Sequence, residues 1–470
     1  MKGNTQPVKL GLEVLTPVHA GSGETLQLDL DYMNQRGNAF VVDQNRTFDA
    51  VAAGNAALDK LLQKQTSLLD LVSTAGEHYG YILPPLQQQR DRPEKIREHI
   101  KDALFRPYLP GSSLKGAIRT ALLAEWLRGI EKPAYADLLP PSPSVKPKYA
   151  AGKITKDLFG PTPNQDMLRV LRVGDANFQT GDLRLADIRW LNVINSKGTD
   201  KARWRDMRSR RSQDRWQDAS GLFAEVLPKG SAASVTLQWD GFLLSEPHRW
   251  KAPERAAQLF PADFAALRDI LNSHARHILQ KELTFFKSYK VDAPSQECLR
   301  LLNKMESDPD AAYLRLAWGS GWRGMTGDWQ DEQTINEMRR IYHLGKRSVP
   351  LFPKTRRLAV QGSPCLPLGW IKLEPWNESI AQQASSQQIQ SRQHPWVDNT
   401  LAHIQQKNNC QPDEALRGVQ LAQAWQALQD EDDKRTAFEE IKSRWQMKGW
   451  WENPTGKAMK KALKIYLGED

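Results

Sequence analysis

Pro110-Gly111-Ser112-Ser113-Leu114-Lys115-Gly116-Ala117-Ile118-Arg119-Thr120 holds the residues of this sequence best suited to gripping an anion. Pro110-Gly111 predicts a tight turn, and Ser112 or Ser113 can cap a helix that follows. Uncapped amides at such a helix start attract phosphate. Lys115 and Arg119 stand four apart, so both project from one face, roughly in line with Ser112. Leu114, Ile118, Ala121 and Leu122 form the opposite, apolar stripe. Gly116 inside the helix costs about 1 kcal/mol against alanine, which implies close packing there. An ordinary amphipathic helix with a solvated basic face fits the same residues.

Gly319-Ser320-Gly321-Trp322-Arg323-Gly324 has the G-x-G-x-x-G spacing after a strand-like stretch. A dinucleotide-binding oxidoreductase would need a second parallel strand and an acidic residue about twenty positions on. Met338 to Tyr342 is basic instead. Glycines let any phosphate chain approach, and Trp322 can stack on a base, so RNA suits this loop better than NAD. Two basic clusters stand elsewhere. One runs from Lys201 through Arg203, Arg205 and Arg208 to Arg211 around Trp204; the other takes in Arg339, Arg340, Lys346, Arg347, Lys354, Arg356 and Arg357. They are polyanion contacts or solvated loops.

His19 precedes a turn-rich loop, Gly21-Ser22-Gly23, where a histidine is either a general acid or base or a structural residue. Asp29 and Asp31 would share one side of a strand, with no third ligand to make a metal site. His274 and His277 are expected to be structural. Cys298, Cys365 and Cys410 lie far apart, so neither a disulfide framework nor a zinc site is expected, and a reducing cytosol fits best. No metal and no cofactor is implied.

The elements that must position these residues mix strands and helices. Strict alternation predicts strands at Val8–Val14 and Ser234–Asp240, with others at 38–43, 168–173, 183–194, 222–227, 313–318 and 369–373. Helices are expected at 47–72, 93–105, 113–128 and within 261–289, with a Pro-rich loop near 140–147. Residues 377–399 are Gln- and Ser-rich and read as a linker. Three helices beyond it (415–429, 434–447 and 455–467) would form a small core around Trp425, Trp445, Trp450 and Trp451. The expected organisation is a domain at 1–230, a second at 231–376, the linker, and a helical extension at 400–470.

Length and charge narrow the function. At 470 residues the chain is long for one core, and 40% hydrophobic residues argue against wholesale disorder. No run of apolar residues is long enough to span a membrane. A net charge of +10 favours polyanionic partners.

Several stretches together resemble the RAMP superfamily of CRISPR-associated proteins. They are Leu15 to Glu24, Tyr108 to Arg119, Glu225 to Gly230, Leu316 to Trp322, Pro353 to Arg357 and Pro367 to Trp370. Their order and spacing are most similar to those of the fifth Csm subunit of type III-A complexes, over about residues 8–373. The resemblance implies an α+β fold of two fused ferredoxin-like (RRM-like) domains with insertions, followed by the helical region. It also implies a crRNA-binding subunit that caps the 3′ end of the guide and supports its 3′-end maturation in antiviral defence. The implied partners are crRNA, a neighbouring backbone RAMP subunit, the small helical subunit, host nucleases and, indirectly, target RNA. Lys115 and Arg119 would hold phosphates, and His19 to Gly23 would line one groove with Gly319 to Arg323. Target-cutting members carry an aspartate in a short loop that is not recognisable here, so this chain looks non-catalytic. The alternative is a metal-independent RAMP endoribonuclease that processes CRISPR precursor RNA through His19.

Overall fold

A computed structural model describes residues 7–35, 38–45, 79–87, 93–129, 152–196, 198–246, 260–345, 351–376, 395–428, 431–451 and 453–468. The helix expected at 47–72, the Pro-rich loop at 140–147 and most of the Gln/Ser-rich linker lie outside these residues. In chain order the first strands are β1 (Val8–Val14), β2 (Gly21–Gln27), β3 (Tyr32–Gln35), β4 (Asn38–Val42), β5 (Tyr79–Leu83), β6 (Lys95–His99) and β7 (Tyr108–Leu109). Helices α1 (Gly111–Arg128) and α2 (Gly152–Phe159) follow. Then come β8 (Leu171–Val173), β9 (Ala176–Asn177), β10 (Arg184–Ser196), β11 (Thr199–Arg205), β12 (Ser212–Gln213), β13 (Leu222–Val226) and β14 (Ala232–Trp239). Helices α3 (Gly241–Leu244), α4 (Phe264–Ser288) and α5 (Asp292–Ser307) lead to β15 (Ala312–Arg315), α6 (Gly321–Thr326) and α7 (Glu332–Tyr342). Strands β16 (Thr355–Gln361), β17 (Ser363–Pro367) and β18 (Trp370–Pro375) close the sheets.

Helices and sheets are mixed throughout, in keeping with an α+β fold. β1 is the centre of a five-stranded antiparallel sheet in the order β15-β18-β1-β14-β8. Its alternation explains the position: Leu10 and Leu12 are fully buried, and Leu12 stands opposite Ala233 on one side and Leu373 on the other. The apolar stripe of α1 and Leu267 and Leu271 of α4 join these strands in the largest core. α1 lies between β1 and β8 in the chain, and α4 follows β14, so both helices are strung between strands of this sheet. The second sheet runs β12-β11-β10-β13-β6-β2, with β16 on β10 and β17 on β16.

Both sheets draw strands from either side of residue 230, so the expected boundary there does not separate two sheets. Antiparallel pairing joins segments that sequence adjacency keeps apart. Residues 93–105, expected to be helical, form β6 and a turn; only Ile96 and His99 of β6 are buried, so the apolar signal was too sparse to show the period. Residues 167–170 form a 3-10 turn before the short β8. Asp29 and Asp31 lie in the turn between β2 and β3, where Asp31 accepts the Gln27 amide at 2.8 Å and Asp29 has φ 61°. They do not share a strand face.

The C-terminal helices begin at Pro395, inside the span expected to be linker. They are α8 (Pro395–Asn408), α9 (Pro412–Leu416), α10 (Val419–Gln426), α11 (Glu431–Met447) and α12 (Gly456–Leu467). Trp445 is fully buried in their own core, with Trp425, Trp450 and Trp451 packed against it. That is the role expected of these tryptophans.

Candidate nucleic-acid interface

The segment at 110–120 starts α1, but its chemistry differs from the expectation. Pro110 is the N-cap residue, and no side chain caps the helix, so Ser112 and Ser113 lie inside the first turn. The Gly111 amide donates to Asp175 Oδ1 at 2.6 Å. The helix start already holds an internal carboxylate where a phosphate was expected. Arg119 is also committed: its Nη1 donates to Asp166 at 2.6 Å, and its guanidinium lies 4.1 Å from the centre of the Phe159 ring. Lys115 is half-buried, and burial lowers its pKa, with Arg119 adding to the shift against Asp166.

The glycines of this motif divide their roles in a way the sequence does not show. A Cβ on Gly111 would lie 2.2 Å from the Val173 carbonyl oxygen, whereas one on Gly116 meets nothing within 4 Å. Close packing is at Gly111, not at Gly116. Gly116→Ala is therefore expected to stabilise the protein by about 1 kcal/mol. Gly111→Ala should cost on the order of 1–3 kcal/mol, since backbone must move. Urea midpoints of the two variants check both signs.

His19 is a buried residue with 2% exposure. Its Nδ1–H donates to the Glu225 carbonyl at 2.7 Å, and its ring stands edge-on to Trp318 and His99. Burial brings it down to about 4, with Arg97 and Lys101 adding to the shift. It is neutral near pH 7 and offers no surface to RNA, which corrects both expected roles. Below it the buried Glu225 carboxylate accepts from Tyr81 Oη, from the His99 amide at 2.7 Å and from Lys101 Nζ at 2.6 Å. Gly21, Ser22 and Gly23 are exposed at the start of β2 rather than in a loop, and Ser22 Oγ donates to Glu98 at 2.8 Å.

The G-x-G-x-x-G motif and the second basic cluster meet in space. A cavity of about 410 Å³ is walled by Gly319, Gly321, Trp322 and Arg323 on one side and by Lys354, Arg356 and Arg357 on the other. Arg315 and Arg339 complete a lining of six cationic side chains against one carboxylate, Glu282. Gly319, at φ 94°, turns the chain tightly over Leu368. The supposed open loop is thus a turn into the short α6. β15, which precedes it, is an edge strand paired antiparallel with β18 among the described residues. That excludes the parallel unit of a dinucleotide site.

Several of these cations form the wall itself. Arg356, 8% exposed, donates to Glu282 at 2.7 Å and stacks 3.9 Å from the Phe285 ring centre. Arg315 lies 3.9 Å from the same carboxylate. Arg323 pairs with buried Asp328, and Trp322 is edge-on to Phe352 at 5.1 Å. Arg203, on β11, pairs with Asp214.

A further row is invisible to motif and spacing. Trp190 of β10 stands opposite Arg205 of β11 and opposite Arg357 of β16, so the three side chains share one face. Arg205 and Arg357 lie 5.7 Å and 4.7 Å from the Trp190 ring centre. Trp318, whose amide donates to the His19 carbonyl at 3.1 Å, has Arg357 at 4.6 Å and Arg97 of β6 at 5.0 Å. Strand register brings Arg205 and Arg357 to Trp190, and the backbone bond to His19 holds Trp318 beside them.

Residues 11–322 match the RAMP superfamily. A Methanocaldococcus jannaschii protein named CRISPR system Cms protein Csm5 is 22% identical over 411 residues, covering 79% of this chain and 89% of the relative. A Streptococcus thermophilus protein of the same name is 27% identical over 143 residues, 26% of this chain and 40% of the relative. One chain of a solved Csm-crRNA-target RNA ternary complex in a type III-A CRISPR-Cas system superposes with a TM-score of 0.55 at 22% identity. That likeness covers 78% of this chain and 100% of the other, and it is a likeness of fold. With the family match running from β1 to the start of α6, well over half of the sequence, the chain belongs to the RAMP superfamily.

Proposed function

We propose that this chain is the RNA-binding subunit of a type III-A (Csm) CRISPR effector complex that caps the 3′ end of crRNA. It supports 3′-end maturation and assembly of the complex, without catalysis of its own. The observation that carries this reading is the cavity between α6 and β16, lined by six cationic side chains, of which Arg323 pairs with Asp328 while Arg315 and Arg356 share Glu282. Arg357 has no carboxylate partner among the described residues and Arg315 and Arg356 share one, so the lining keeps positive charge that phosphates neutralise, with release of their counterions. The two relatives named Csm5 supply the complex to which an RAMP protein of this kind belongs. The partners are crRNA, a neighbouring backbone RAMP subunit, the small helical subunit and host nucleases, with target RNA engaged through the guide.

The test is a salt titration of the full chain with a labelled single-stranded RNA of about 20 nucleotides, a guide-like length. The wild type should bind, with affinity falling steeply as salt rises. Lys354→Ala with Arg357→Ala should weaken binding roughly tenfold or more and reduce the salt slope by about 0.7 for each phosphate no longer neutralised. Absence of wild-type binding, or an unchanged slope in the variant, would overturn the reading.

A further inference from the structure

The row Arg205–Trp190–Arg357–Trp318–Arg97 differs from the other arginines around it. Arg119, Arg203, Arg323 and Arg356 each have a carboxylate partner. Arg97, Arg205 and Arg357 have none among the described residues; each guanidinium lies against an indole instead. Arg357 lies between two indoles, 4.7 Å from one ring centre and 4.6 Å from the other. Three like charges collected without an acid are a poor device for stability, since aliphatic residues or alternating ion pairs would cost less. Among the described residues no carboxylate offsets them, so the row keeps its positive charge available to a ligand.

We propose that this row is a stacking platform for unpaired nucleotides of single-stranded RNA, tolerant of base identity. The proposal rests on the reading that the chain holds RNA, and it adds where and how bases are held: by their free faces, on the indoles of Trp190 and Trp318. A duplex buries those faces between its own stacked pairs, and an acidic peptide supplies charge without them. Indoles held by arginines are ready for an exchange. A base takes the place of a guanidinium on the Trp190 or Trp318 face, and the displaced arginine turns to the adjoining phosphate. No bond is made or broken. The stacking area is kept and the charge is neutralised. Trp318 is fixed for this by its backbone bond to His19, so the buried His19 acts by positioning an indole. Trp190 is fixed by its register between two strands.

The full chain with a mixed-sequence RNA of about ten nucleotides, on the scale of a single-strand site, tests this. Trp190→Ala with Trp318→Ala should lower affinity on the order of 10- to 100-fold with the salt slope unchanged. An abasic strand of equal length should bind the wild type and this variant alike. Should the alanine pair fail to fold, the Trp190→Phe and Trp318→Phe chains serve. RNA quenches indole fluorescence in the wild type, and each phenylalanine variant should lose part of that quenching while keeping most of its affinity. If wild type binds the RNA but the alanine pair binds equally well, or the phenylalanine chains are quenched like wild type, the platform is disproved and the wider RNA reading stands. If the wild type binds no RNA, both fall together.

Discussion

Lowering the pH from 6.5 towards 4 is expected to remove much of this protein's stability, because three histidines are buried in the uncharged form. Burial is the largest cause for each: His19 is brought to about 4, and His99 and His274 to about 3. In the unfolded chain a histidine takes up its proton near 6.5. Between that value and the folded one, only the unfolded state holds the proton, so stability falls as pH falls. Each histidine contributes a slope of about 1.4 kcal/mol per pH unit, or roughly 4 for the three together. Glu225 acts in the opposite direction, since burial raises its pKa, and it offsets part of the loss. Urea midpoints at half-unit pH intervals measure the slope. His99→Gln should flatten it by about a third, and a level profile between pH 6.5 and 5 would contradict the burial of these rings.

The strands with clean alternation were legible, and so was the apolar stripe of α1. β1 and β18 are found within two residues of their expected limits, and Leu114 and Ile118 are buried as their spacing demands. Charge alone was a poorer guide. A basic residue in sequence says nothing of the carboxylate it will meet, and Asp166 and Asp214 changed the reading of Arg119 and Arg203. The resemblance paired Gly319 to Arg323 with His19 to Gly23, and their meeting with Lys354 to Arg357 was not read from it; the cavity between them is a product of folding. Least legible was Trp190. Its partners come from β11 and β16, and the second lies far along the chain, so only sheet order could place Arg357 beside it. Period-2 patterns identify strands, but they carry no record of which strands become neighbours.

Glu282→Leu is expected to be among the most damaging single substitutions in the chain, although Glu282 belongs to none of the motifs singled out by sequence. Its carboxylate, 2% exposed on α4, is the counter-ion of Arg356 at 2.7 Å and lies near Arg315 at 3.9 Å. Removing it leaves two buried guanidiniums facing each other, at a cost of about 3–5 kcal/mol. Arg356→Met leaves the opposite charge exposed to the same penalty, though Arg315 still faces it. The double variant removes both charges and should be more stable than the sum of the single losses implies, by on the order of 1–3 kcal/mol. RNA affinity should separate from stability here. Below its melting temperature Glu282→Leu leaves the cavity more positive, so it should bind RNA more tightly than wild type at low salt and lose that advantage as salt rises. The double variant restores the wild-type charge balance of the lining and should restore its salt slope. Additive stability losses, or RNA binding indifferent to these charges, would show that Glu282 does not hold the wall of the cavity.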